Sequence, residues 1–119
     1  MDKEYRFDSP LLKDNQPVLL NQGSMIIIVA HYNSDMYDLG FSEPSTTARI
    51  DSAGYFVALA YGTDLGCPIQ LTEQHFKESC SHAIYDLLGQ SLNQGSYKDL
   101  EIPNYRWNKN FSALTIYQE

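Results

Sequence analysis

The sequence predicts an α+β domain: a mostly antiparallel sheet with one long amphipathic helix, at about residues 73–88, packed on one face. Three observations carry this expectation. Apolar runs rich in β-branched or alternating residues recur at 25–30, 55–61 and 111–117, an apolar stripe of helical period follows Leu71, and turn residues separate these segments. A chain of 119 residues is enough for one domain spanning 1–119 and too short for two ordinary ones.

Ser9-Pro10 fits a helix cap followed by proline at the first helical position, so Leu11-Leu12 can open a short helical turn that Pro17 ends. Leu-Asn-Gln-Gly-Ser occurs at 20–24 and again at 92–96; both copies read as turns, and the likeness extends no further. Met25 to Ala30 reads as a strand covered on both faces and therefore central in its sheet. Thr47–Ile50 and Tyr55–Tyr61 flank Asp51-Ser52-Ala53-Gly54, the pattern of a hairpin whose second arm is largely buried. Thr72 caps the expected helix, with Glu73 in its first turn and a staple of Leu71 on Phe76. Phe76, Cys80, Ala83, Ile84, Leu87 and Leu88 make its buried stripe, and Gly89 stops it. Tyr105–Trp107 and Phe111–Tyr117 surround Asn108-Lys109-Asn110 as a last hairpin.

The composition, 43% hydrophobic and 13% aromatic, excludes a disordered chain. Fifteen acids against eight bases give a net charge of −7, the wrong sign for a binder that neutralises phosphates with Lys and Arg. The excess is local. Residues 1–13 balance to zero, 14–76 carry seven acids against Arg49 alone, and 77–119 sum to −1. Met1–Asp8 has no apolar core of a signal peptide, and no apolar run approaches the ~20 residues that span a bilayer. No lipid-anchor motif is present at either end. With only two cysteines, and Cys80 on the apolar side of the expected helix, both thiols are read as reduced and the protein as cytoplasmic.

No motif specifies an active site. His75, His82 and Asp86 fall within roughly 40° on one flank of the expected helix, but zinc helices present closer pairs, so the flank reads as solvated and no metal or other cofactor is expected. Cys67, in Gly66-Cys67-Pro68, is a candidate nucleophile without a recognisable partner base. The neighbouring carboxylates Asp35/Asp38 and Asp99/Glu101 are too common in an acidic chain to indicate acid–base chemistry.

The segment from His31 to Thr46 is the informative one. It has no secondary-structure pattern, yet it interleaves Tyr32, Tyr37 and Phe41 with Asp35, Asp38 and Glu43. Aromatic anchors ringed by charge of one sign are what a surface for a basic protein requires. The expectation is therefore a non-enzymatic immunity or antitoxin-type inhibitor. Its aromatics would fill pockets, and its acids would pair with the cationic cleft of a nuclease-like toxin. The partner is a basic protein, with no direct nucleic acid, membrane or small-molecule ligand. Three other classes stand beside it: a phage-type counter-defence mimic of nucleic acid, a small metal- or cysteine-dependent hydrolase on His75, His82, Asp86 or Cys67, and an oligomeric assembly subunit.

Overall fold

The computed structural model describes residues 3–8, 12–32, 49–72, 75–92 and 97–118. Nine strands run through them: β1 Lys3–Asp8, β2 Val18–Gln22, β3 Met25–His31, β4 Tyr55–Leu59, β5 Ile69–Leu71, β6 Phe76–Glu78, β7 Ile84–Tyr85, β8 Asn104–Trp107 and β9 Ala113–Gln118. They form three antiparallel three-stranded sheets in the orders β1-β9-β8, β2-β3-β4 and β5-β6-β7. The described residues contain no α-helix, so the described fold is all-β and the expected long helix and α+β class are overturned.

The β2-β3-β4 sheet is the middle layer. In β3 the residues Met25, Ile27 and Val29 join Val57 of β4 against Phe7, Leu114 and Ile116 of the β1-β9-β8 sheet. The alternate residues Ile28, Ala30, Phe56, Ala58 and Ala60 pack on Ile69, Phe76, Tyr85, Leu88 and Leu100. Because successive strand side chains point to opposite faces, two strands supply both cores. This is why Met25–Ala30 is apolar at every position rather than at alternate ones. The expected central, doubly covered strand is β3, and the buried second arm is β4.

The Asp51–Gly54 turn forms, with Asp51 Oδ1 accepting the N–H of Ala53 at 3.0 Å and of Tyr55 at 2.9 Å. Its expected first arm is not β4's partner. Arg49 and Ile50 lie outside any strand, and β4 pairs instead with β3, Val29 opposite Val57. The last hairpin is as expected, with Asn108 accepting the N–H groups of Ser112 and Ala113 across its turn. The helix cap at Ser9-Pro10 falls outside the described residues.

Of the expected helix at 73–88, the described residues 75–88 form two short strands and a set of turns. Thr72, read as its cap, instead turns the β5–β6 hairpin: its hydroxyl donates to the His75 carbonyl and accepts the His75 N–H. Beyond β6, Ser81 accepts the Ala83 N–H, and Asp86 Oδ1 accepts those of Leu88 and Gln90, each at 2.9 Å. Short polar side chains thus capture backbone donors that a helix would have used. The apolar stripe is partly buried all the same, through Phe76, Ala83, Leu87 and Leu88, while Cys80 is exposed. Cys80 is bonded to Cys67, which overturns the reading of both as reduced thiols and removes the reason for placing the protein in the cytoplasm. No helix among the described residues is long and apolar enough to cross a membrane.

Candidate binding surface

The chain leaves β3 at His31 and returns at Arg49, and both of its roots are tied to one place. Tyr32 is buried at 3% exposure and its hydroxyl donates to the Leu87 carbonyl at 2.5 Å. Arg49 donates from Nε to the next carbonyl, Leu88, at 2.6 Å and from Nη2 to Leu100 at 2.5 Å. The receiving backbone is itself fixed, since Gly89 N–H donates to Asp86 and Leu100 N–H donates to Gly89. Gly89 adopts φ +73°, and a Cβ there would approach Leu100 Cβ to 3.1 Å and Arg49 Nη2 to 3.2 Å. Only glycine permits both that backbone conformation and that approach.

The charge states at these roots follow from burial. Desolvation, helped by the charge of Asp86, pushes the Tyr32 phenol far above its ordinary range, so it remains a donor. Desolvation also lowers Arg49, against the opposing pull of Asp99 and Asp86. Asp86 is raised by burial, and the Gln90 and Leu88 N–H groups and Arg49 only partly offset this.

These positions change the expected site in one respect. Tyr32, read as a partner anchor, is a core residue that fastens the root of the segment. Asp35, Tyr37, Asp38, Phe41 and Glu43 lie outside the described residues. Arg49, the only cation between residues 14 and 76, was missed as a structural residue. Its isolation in an acidic stretch was the available signal.

Beside the same root lies an aromatic corner. The His31 ring faces two acceptors, Asp14 Oδ1 from Nδ1 (2.9 Å) and the Ala53 carbonyl from Nε2 (3.0 Å), and it meets Tyr55 at 4.7 Å. Tyr55 continues to Trp107 at 4.5 Å and stacks on Phe111 at 5.2 Å. Phe111, held at φ +57° in the last hairpin turn, is 38% exposed. Asp51 joins the layers here by accepting the Tyr105 hydroxyl, whose acidity falls through burial and that neighbouring charge.

Of the residues considered for catalysis or metal binding, Cys67 is bonded to Cys80, and Asp86 and Asp99 accept backbone N–H groups. His75, His82 and Asp86 do not converge: the described residues bring only Cys67, Glu78 and Cys80 within 4.8 Å as potential ligands. The two sulfurs of that trio are bonded to each other, so Cys67 offers no thiolate. Glu78 is wholly buried and accepts from Cys67 N (2.8 Å), Leu65 N (3.0 Å) and Ser81 Oγ (3.0 Å). Burial pushes its carboxyl up, but these donors outweigh burial and hold it below the usual range. Glu78 fixes the Asp64–Cys67 turn rather than facing a ligand, and sequence periodicity carries no signal of it.

Geometry and sequence define an all-β domain with an acidic, aromatic-bearing segment on fixed roots. No protein-family profile and no curated protein matches the chain.

Proposed function

We propose that this chain is a binding module for a basic protein surface, engaged through the acidic and aromatic residues of 33–48. The observation that carries the reading is the double fastening of the segment's roots to the successive carbonyls of Leu87 and Leu88. A segment with fixed ends loses less conformational entropy on binding than one that emerges from a loose base. Its interior then supplies Asp35, Asp38 and Glu43 for Lys or Arg, with Tyr37 and Phe41 as anchors. A nuclease-like toxin is the partner that charge complementarity favours, because it must present a cationic cleft to its substrate.

The test is co-purification with the product of an adjacent reading frame that encodes a basic domain, followed by measurement of affinity. Replacing Asp35, Asp38 and Glu43 together by Lys is expected to weaken binding at least a hundredfold with an unchanged thermal midpoint. Undiminished affinity in that variant places the interface elsewhere and defeats the reading.

A further inference from the structure

We propose that the outer face of the β1-β9-β8 sheet holds a phosphate-group site, gripped between Arg6 and Arg106 across Thr115. The register sets the three residues in one row: Arg6 lies opposite Thr115, and Thr115 lies opposite Arg106 on the other side of β9. Alternation sends all three outward, because their neighbours Phe7 and Leu114 are buried in the core and Trp107 packs against it. Two strand spacings separate the arginine backbones by about 10 Å, a gap that two long side chains can close around one small anion.

Three further observations point to an anion. Arg6, Arg106 and Thr115 line one cleft of about 230 Å³, together with Trp107, Asn108, Ala113 and Tyr117. Among the described residues neither guanidinium forms an ion pair or a hydrogen bond, although Glu4 and Asp8 lie on the same face of β1. The chain has only three arginines. Arg49 is spent on carbonyls, and the other two converge here on a protein of net charge −7. Like charges brought to one row without a carboxylate between them repel, and a bound oxyanion reverses the sign of that interaction.

Paired guanidinium groups fit phosphate oxygens through parallel N–H donors, and the Thr115 hydroxyl supplies a further donor between them. Pockets for whole drug-sized ligands run from about 300 Å³ upward, so this cleft takes the phosphate group and leaves the remainder of any ester outside. Asn108 is no ligand, because its side chain is committed to Ser112 and Ala113.

The experiment is calorimetric titration of the intact chain with inorganic phosphate and with phenyl phosphate, at ionic strength held constant with chloride. Saturable binding at one site is expected, weakened at least tenfold by Arg6→Gln or by Arg106→Gln and abolished in the double variant. A tighter phenyl phosphate identifies a monoester as the natural form, and equal affinities identify the free ion. Absence of saturation, or affinity unchanged in both single variants, overturns the proposal. Thermal midpoints of the variants, expected within a few degrees of the parent, separate lost binding from lost folding.

Discussion

The two faces of the central sheet are covered in different ways. One is closed by the β1-β9-β8 sheet, whose six-residue β1 and β9 are joined in register from Lys3↔Gln118 to Asp8↔Ala113, over a core of Phe7, Leu114 and Ile116. The other is closed by strands of two or three residues and by turns, joined through the buried Glu78, Tyr32 and Tyr85, the half-buried Arg49 and the Cys67–Cys80 bond. There the Tyr85 hydroxyl accepts the Thr63 N–H, and the Tyr97 hydroxyl accepts the Ile84 N–H. A regular sheet satisfies its backbone by ladders. An irregular layer must satisfy it with side chains, and each such side chain becomes individually hard to replace.

The sharpest way to break this contrast is to compare Glu78→Ala with Leu114→Ala. Losing the wholly buried Glu78 side chain takes their acceptor from the N–H groups of Leu65 and Cys67 and from the Ser81 hydroxyl, at a cost of about 4–5 kcal/mol. Leu114→Ala removes only apolar volume and costs about 3 kcal/mol. Urea unfolding measures both, and an equal or smaller loss at Glu78 would erase the distinction between the layers. The pH dependence separates them further. Because the Glu78 carboxyl is held below its unfolded value, its contribution is full above that unfolded value and is lost as pH falls through the folded one. Asp86, raised by burial, works in the opposite direction: stability falls as pH rises between its unfolded and folded values. Glu78→Gln should therefore flatten the acid loss of stability below pH 5 relative to the parent, whereas Leu114→Ala should leave its slope unchanged.

The same division governs what was legible in the sequence. β3, β4 and the last hairpin could be read because apolar runs, alternation and turn residues are local signals, and a regular sheet needs nothing else. β1 and β2 could not: Lys-Glu-Tyr-Arg-Phe-Asp alternates weakly, and Pro17 with Leu-Asn-Gln-Gly-Ser reads as turn. The irregular layer failed altogether. Phe76, Ala83, Leu87 and Leu88 happen to recur at helical intervals, while the groups that decide the local structure, Ser81, Asp86 and a carboxylate 11 residues from Cys67, obey no period. Gly62 was equally silent, although a Cβ there would lie 2.1 Å from the Glu78 carboxyl carbon. Of the site, the acidic and aromatic composition was visible; the fastening by Tyr32 and Arg49, which depends on pairing over 39 to 55 residues, was not.

Reduction provides an intermediate test of the contrast. The Cys67–Cys80 bond closes a loop with a sequence separation of 13, wholly within the irregular layer. Closing a loop of that size contributes about 3 kcal/mol by restricting the unfolded chain. Dithiothreitol should lower the urea midpoint accordingly and accelerate amide exchange at Leu65, Cys67 and Ser79, while amides of β9 exchange only as fast as the new global stability allows. Uniform acceleration in both layers would mean that the covalent bond supports the whole domain rather than one side of it.

The smallest expected effect is at the root of the 33–48 segment. Tyr32→Phe keeps the ring in its contact with Phe56, at 6.1 Å between centroids, and removes the hydrogen bond to Leu87. The global cost is about 1 kcal/mol, the net worth of one such bond. Its local consequence is larger in kind, because one of the two side-chain ties to the Leu87–Leu88 backbone is then gone. Affinity for a basic partner should fall severalfold while the surface charges remain intact, and the loss should appear in the association entropy rather than in the salt dependence. An unchanged affinity would show that the carboxylates act without a fixed base. The irregular layer would then serve stability only, and the polar groups that make it costly would have no part in presenting the segment.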